Sequence, residues 1–197
     1  MIIEPSMAAL GPLDTARLRL RALEPGDAEF ILGHFSDPQV CRYLMDAEPF
    51  QKLEEAQRLI GYFMDFQLTR AYRWGIRQAQ SDQPMGTIGY LHWDGRNNSA
   101  EIGFDLAPGY WGRGFMREAL VAVIDSGLRD LGLNRLWAVV HPDNRRCLAT
   151  LAGLGFTTEG VARELFYFRG QYYDHACLAL LKRDWLARPP AGDGQRG

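Results

Sequence analysis

The stretch AEIGFDLAPGYWGRGFM, residues 100–116, decides how the rest of the chain is read. Ala100, Ile102 and Phe104 alternate with Glu101, Gly103 and Asp105, the period of a strand running over 99–107. A loop holding Gly109, Gly112 and Gly114 follows and opens onto a helix predicted over 113–131. In that helix Met116, Ala119/Leu120, Val123/Ile124, Gly127/Leu128 and Leu131 form one apolar stripe, and Gly132 is a natural stop. The first N–H groups of such a helix have no internal acceptor, and its dipole adds about half a positive charge there. Gly112 and Gly114 present bare backbone at that end, so strand, loop and helix together make a cradle for an anion. The glycine pair alone leaves a plain tight turn as an equal alternative.

Spacing removes two other cradles. A P-loop needs GxxxxGK(S/T), and neither Lys nor Ser/Thr follows Gly114. The dinucleotide fingerprint GxGxxG fails at its last position, where Arg117 stands.

Outward from this segment the chain alternates between strand and helix patterns. Residues 16–23 set Leu18, Leu20 and Ala22 against Arg17, Arg19 and Arg21, a half-buried strand. Helical patches follow at about 26–35 and 52–69, and strand-like runs at 71–78 and 85–93 lead into 99–107 as an antiparallel meander. After the long helix come a strand at 135–141, a short helix at 143–153, and strands at 156–168 and 173–182. The sum is a mixed α/β fold, mostly antiparallel, with helices on both faces and one parallel β-α-β step around 102–141. One domain over 13–185 is expected, with flexible termini at 1–12 and 188–197.

Composition narrows the partners. With 197 residues, 47% hydrophobic and 23% charged, the chain has material for a real core. A net charge of −2 with no basic block argues against a nucleic-acid backbone as main partner. No apolar run approaches the ~18 residues of a membrane span, and the first residues lack a signal-peptide pattern, so a cytoplasmic location is expected. Cys41, Cys147 and Cys177 are far apart and odd in number, so neither a disulfide framework nor a metal site follows. The 20 Arg against two Lys read as genome composition more than as function.

Trp111–Gly–Arg–Gly–Phe–Met116 resembles the acyl-CoA pyrophosphate loop of GNAT-superfamily N-acetyltransferases, Gln/Arg-x-x-Gly-x-Gly/Ala. Residues 13–28, 100–116, 141–156 and 163–185, in that order, resemble the ribosomal-protein N-acetyltransferase (RimJ/RimL type) branch of that superfamily. The resemblance implies a mostly antiparallel sheet of about seven strands and a splayed gap between the strands at 99–107 and 135–141. In that gap acetyl-CoA would meet an amine-bearing acceptor.

The same resemblance implies site residues. The amides of Gly112, Arg113, Gly114, Phe115 and Met116 would hold the pyrophosphate, with the Arg113 side chain either adding charge or merely solvated. Leu106 and Ala107 would bind pantetheine by main-chain hydrogen bonds, and Asn144 matches the asparagine that contacts the same arm. Asn144 also stands where a helix N-cap would. Trp111 and Met116 depart from the superfamily pattern, but a site made of main-chain N–H groups is expected to tolerate both.

Glu101 is the candidate base, directly or through water, because it points away from the apolar set and Gly103 leaves space beside it. The plain alternative is a partly solvated, ion-paired carboxylate. Asp105, on the same strand face and about 13 Å further on, is the second choice. His141 is a base, a substrate ligand or a structural hydrogen-bonding group, and His92 and Trp93 rank lower. The tyrosine that many superfamily members use as proton donor is replaced here by Leu151, which leaves Tyr167, Tyr172 and Tyr173 as substitutes. Cys147 reads as a core thiol and, secondarily, as a covalent nucleophile. The aromatic run Phe166–Phe168 with Tyr172–Tyr173 suits a homodimer contact as readily as a substrate wall. Two functions compete: amine acetylation by direct attack in a ternary complex, and a catalytically silent acyl-CoA sensor.

Overall fold

In the computed structural model, residues 10–44 and 48–188 are described. Eight strands form one sheet in the order β1-β2-β3-β4-β5-β6-β8-β7. They are β1 (Leu13–Asp14), β2 (Leu18–Ala22), β3 (Tyr72–Gln78), β4 (Pro84–Asp94), β5 (Ser99–Leu106), β6 (Arg135–Val140), β7 (Thr157–Phe168) and β8 (Gln171–Leu181). Every neighbouring pair is antiparallel except β5 and β6. The helices are α1 (Ala28–Ser36), α2 (Leu53–Met64), α3 (Phe66–Thr69), α4 (Phe115–Asp125), α5 (Arg145–Gly153) and α6 (Lys182–Leu186).

Strand alternation sends side chains to two separate cores. One face of β3–β6 meets α4 and α5 in a cluster that includes Trp74, Ile88, Ala100, Ile102, Leu120, Val123 and Leu151. The other face meets α1 and α2 through Leu23, Ile31, Ala56, Ile60 and Phe63. Trp74 anchors the first cluster: it is fully buried, lies edge-to-face with Tyr72 and Tyr90, and donates its Nε1–H to the Gly11 carbonyl at 2.9 Å. Truncating such a side chain typically costs about 3–5 kcal/mol.

The structure differs from the sequence expectation at three places. Eight strands stand where about seven were expected, because β1 is two residues long, too short for alternation to register. Its turn into β2 is closed by Thr15, whose hydroxyl accepts the Leu18 N–H at 3.0 Å. The helix expected over 52–69 breaks at Asp65, which leaves helical geometry (φ −106°, ψ 69°) and accepts the Leu68 N–H to restart the chain as α3. The helix expected over 113–131 stays α-helical to Asp125 and then widens into a π turn at Ser126–Asp130. There the buried Tyr90 hydroxyl donates to the Val123 carbonyl at 2.5 Å, an acceptor that an uninterrupted helix would give to the N–H of Gly127. A Cβ at Gly127 would lie 2.7 Å from that hydroxyl, so the glycine makes room for the tyrosine.

Of the termini expected to be flexible, 1–9 and 189–197 lie outside the described residues. Leu10 packs into the first core and Gly11 holds Trp74, so the ordered chain begins before residue 13. The Arg188 guanidinium donates to the carbonyls of Gly153 and Leu154. Among the described residues no helix is long and apolar enough to cross a membrane.

Candidate active site

Strands β5 and β6 are paired over three positions only, Ser99↔Arg135, Ala100↔Leu136 and Glu101↔Trp137. Beyond Glu101 both strands continue, to Leu106 and Val140, without pairing. The sheet therefore splits there into a V with its vertex at Glu101 and Trp137. On the other side β5 pairs with β4 through Leu106, and the Ala107 N–H donates to the Met85 carbonyl at 2.8 Å. Antiparallel alternation then turns the main-chain groups of Gly103, Asp105 and Ala107 toward β4 and those of Phe104 and Leu106 toward the gap. The Leu106 carbonyl is already an acceptor for Trp111 Nε1–H at 2.6 Å. The exposed edge is thus offset from the expected Leu106–Ala107 pair: the Ala107 N–H is spent on β4, and Phe104 with the Leu106 N–H faces the opening.

The glycine loop closes the far end of that edge. Gly112 and Gly114 have φ of 72° and 79°, a sign of φ that strains any residue with a Cβ. Space is not what demands them: a Cβ on Gly112 would meet nothing within 4 Å, and one on Gly114 only Arg17 Nη2 at 3.5 Å. Gly114 is the N-cap of α4, and the first helical bond runs from the Glu118 N–H to the Gly114 carbonyl at 3.1 Å. The N–H groups of Phe115, Met116 and Arg117 precede that bond and have no acceptor inside the helix. Met116, a departure from the superfamily pattern, packs against the first core.

Cations from distant parts of the sequence converge on this loop. Arg17, in the β1–β2 turn, stacks 4.4 Å from the Phe115 ring and donates to the Arg113 carbonyl at 3.1 Å. It also binds the Glu118 carboxylate through Nε at 2.6 Å and its own N–H at 2.9 Å, and the Thr15 hydroxyl adds a third bond at 2.6 Å. Partial burial would raise the Glu118 carboxyl, but Thr15 and Arg17 outweigh it and hold the group below its ordinary value. Arg113 lies 5.1 Å from the Phe115 ring centroid, and Arg146 of α5 lies 4.6 Å from that of Trp111. Residues Thr15, Arg17 and Arg146 carry no sign of this role in the sequence, since the contacts are tertiary.

Glu101 has 13% of its side chain exposed, and its Oε2 lies 2.8 Å from His92 Nδ1. His92 is 69% exposed, has φ 49°, and sits where the β4–β5 register shifts between Leu91 and Asp94. That bulge re-aims the imidazole so that it stacks on Trp137 at 5.9 Å and 16°. Glu101 and His92 thus form a half-open dyad at the vertex, roughly 16 Å from Leu106 at ~3.3 Å per strand residue. Gly103 does not leave free space beside Glu101: a Cβ there would meet Leu91 Cδ1 at 3.0 Å and Arg73 Nη1 at 3.5 Å.

The other named groups are placed as follows. Asn144 is the N-cap of α5, its Oδ1 accepting the Cys147 N–H at 3.2 Å, which leaves Nδ2 outside the capping bond. Burial pushes the Cys147 thiol up to about 12, so at neutral pH it stands as the thiol, against the covalent reading. His141 Nδ1 accepts the Asp143 N–H at 3.2 Å, a turn-stabilising bond. Of the three tyrosines, Tyr173 lies 5.7 Å from the His141 ring, while the rings of Tyr167 and Tyr172 lie 4.9 Å apart, tilted at 55°, and the two residues are 63% and 61% exposed.

Asp105 is no base. It is buried, with Oδ1 2.6 Å from His34 Nε2 and 3.0 Å from the Thr87 N–H; Oδ2 takes the Thr87 hydroxyl at 2.7 Å and the Arg73 guanidinium. Burial alone would raise its carboxyl, but Arg73, His34 and Thr87 hold it at about 2. A carboxyl lowered on folding contributes stability above its unfolded value of ~3.9, and that contribution fades as pH falls toward the folded value. For this shift it amounts to roughly 2–3 kcal/mol, about half of it gone by pH 3. Urea unfolding of wild type and Asp105→Asn should show a large gap at pH 7 that shrinks below pH 4; a gap constant down to pH 3 would contradict the ionised cluster.

An unpaired strand edge thus leads from Glu101 at the vertex to the free N–H groups that open α4. Residues 17–157 match the Acetyltransferase (GNAT) domain, and the chain belongs to that family. It is 37% identical over 174 residues to the uncharacterized N-acetyltransferase p20 of Bacillus licheniformis, covering 88% of this chain and 97% of that one. It is 27% identical over 180 residues to the ribosomal protein uS5 alanine N-acetyltransferase of Escherichia coli, covering 88% and 92%. Spermidine N-acetyltransferase from Vibrio cholerae, crystallised with CoA and spermine, superposes with a TM-score of 0.77 at 26% identity, covering 87% of this chain and 99% of that one. The protein is a GNAT N-acetyltransferase, related to a ribosomal-protein alanine N-acetyltransferase and to spermidine N-acetyltransferases alike, and its acyl donor is acetyl-CoA.

Proposed function

We propose that a single domain over residues 13–185 acetylates a primary amine in the cytoplasm by direct attack within a ternary complex. The observation that carries this reading is the placement of Glu101 at the vertex where β5 and β6 part, with an open strand edge leading from it to the Gly112–Met116 loop. Bound acetyl-CoA supplies the thioester carbonyl that the acceptor nitrogen attacks, and CoA leaves as the thiol.

The chain's own residues bind, orient and move protons. The N–H groups of Gly112, Arg113, Gly114, Phe115 and Met116 hold the diphosphate, and Arg17 and Arg113 flank them. The main chain of Phe104 and Leu106 and the Asn144 amide hold the pantetheine arm. Glu101 takes the proton from the acceptor ammonium, and the exposed His92 passes it to solvent. Freeing an amine at pH 7 takes about 1–1.5 kcal/mol for an α-amine and 4–5 for a lysine amine. The second N–H proton, released as the amide forms, protonates the leaving thiolate. Tyr173 relays that proton, giving its own hydroxyl proton to sulfur and taking up the one from nitrogen.

Two measurements test the reading together: a thermal shift with acetyl-CoA against an AMP control, and turnover on a broad amine panel. Acetyl-CoA at 100 times Kd should add about 2.7 kcal/mol, roughly 5–10 °C for a domain of this size. A shift with turnover supports the enzyme. A shift without turnover on any amine would make the chain a silent acyl-CoA-binding module, and no shift at millimolar acetyl-CoA would remove the cradle.

A further inference from the structure

Arg17 reaches the glycine loop from the far side of the sheet. Its β1–β2 turn is separated from the β5–β6 opening by β3 and β4, yet its Nη1 donates to the Arg113 carbonyl at 3.1 Å. The guanidinium is itself held in place. Glu118 of α4 accepts its Nε–H at 2.6 Å, the Arg17 main-chain N–H at 2.9 Å and the Thr15 hydroxyl at 2.6 Å. One carboxylate thus fixes both the turn and the side chain, and the Phe115 ring lies 4.4 Å from the guanidinium carbon.

The bond to Arg113 sets a direction in the loop. Among the described residues no peptide bond is cis, and in a planar trans peptide the carbonyl and the following N–H point opposite ways. Holding the Arg113 carbonyl toward the β1–β2 turn therefore turns the Gly114 N–H away from that turn and into the set that opens α4. Gly112 and Gly114 flank this peptide, and glycine populates both signs of φ, so without a tether the peptide turns over at little cost.

Charge is not what Arg17 brings. Its guanidinium is paired with Glu118, so the two together add little net field at the loop. The neighbouring Asp14 is taken by Arg19 at 3.5 Å, which leaves Arg113 and Arg117 as the loop's unpaired cations among the described residues. A carboxylate this close to an anion cradle would repel the anion unless a cation neutralised it, and Glu118 is placed to aim one.

We infer that Arg17, locked by Glu118 and Thr15, is a positioning residue for acetyl-CoA: it holds the Arg113–Gly114 peptide in the orientation that offers the Gly114 N–H to the diphosphate. The inference rests on the diphosphate reading above and deepens it, since it names what keeps the cradle in shape. A loop free to turn that peptide over binds more weakly in proportion to the time it spends competent. One competent state in about ten is a tenfold loss of affinity.

The test is the calorimetric Kd of wild type, Arg17→Lys and Glu118→Gln for acetyl-CoA and for S-acetylpantetheine, which ends before the diphosphate. Ligand-free melting temperatures confirm that each variant folds, and either variant alone can overturn the inference. Lysine keeps the charge of Arg17 but loses the planar fork that bonds Arg113 and Glu118 at once. Arg17→Lys should therefore weaken acetyl-CoA about tenfold and leave S-acetylpantetheine within about twofold of wild type. Glu118→Gln separates positioning from charge, because the two predict opposite signs. A guanidinium that met phosphate as a free charge would bind acetyl-CoA more tightly once its carboxylate was gone. A guanidinium that only aims the loop should bind it about three- to tenfold more weakly. Wild-type affinity in Arg17→Lys, equal or tighter binding in Glu118→Gln, or equal losses with both donors overturns the inference and leaves the cradle intact. Wild type binding acetyl-CoA no more tightly than S-acetylpantetheine would overturn the diphosphate reading itself.

Discussion

Exchange of Glu101 for Gln is expected to lower kcat/KM by roughly 10²-fold at pH 7 while leaving the acetyl-CoA thermal shift unchanged. The amide keeps the volume of the carboxylate and can still hydrogen-bond His92, so the vertex should stay in place and only proton acceptance is lost. The deficit should depend on pH with a definite sign. At pH 6 most acceptor is ammonium and the missing base is felt in full. As pH rises toward 9 an α-amine, with a pKa of ~7.7–8.0, is already free, and the variant should approach wild type. A lysine-like amine near ~10.4 would keep the deficit over the whole range, so the profile also reports the kind of amine. Profiles of kcat/KM that superimpose from pH 6 to 9 would take Glu101 out of the mechanism.

How far this site could be read in advance depended on what kind of contact made each part. The loop and α4 were legible because both leave local marks: glycines where φ is positive and a stripe at helical spacing. The side of β5 on which Glu101 lies was legible for the same reason, since alternation fixes it. The V was implied by resemblance alone, because no local signal says where a strand stops pairing. The contact of His92 with Glu101 is not legible in the sequence, because it depends on a bulge and a positive φ in a non-glycine residue, both set by the β4–β5 register. Arg17 lies 101 residues from Glu118, and its strand period marks it only as outward-facing. The ionised state of Asp105 is not legible locally, because the groups that hold its carboxyl down, His34, Arg73 and Thr87, come from three other elements. Local pattern finds backbone conformation and facing; ionisation is set by neighbours that only the fold assembles.

Gly114→Val is expected to weaken acetyl-CoA binding by about 10²-fold, equivalent to roughly 2.7 kcal/mol. The cause is conformational. Gly114 caps α4 at φ 79° and ψ 0°, and a β-branched residue held there costs on the order of 1–3 kcal/mol or moves out of that region. If the cap relaxes to negative φ, the N–H groups of Phe115 and Met116 turn away from their common focus and the cradle loses donors it cannot replace with side chains. Direct crowding is a small part, because the new Cβ would meet Arg17 Nη2 at ordinary contact distance, 3.5 Å. The effect should be confined to donors that carry the diphosphate. With S-acetylpantetheine, which ends before it, Gly114→Val and wild type should differ by no more than about twofold in kcat/KM, since the Glu101 vertex lies roughly 16 Å or more away. Equal losses with both donors would mean that the substitution disturbs α4 and the core beneath it, and that the loop's glycine is a folding requirement and not a phosphate-binding one.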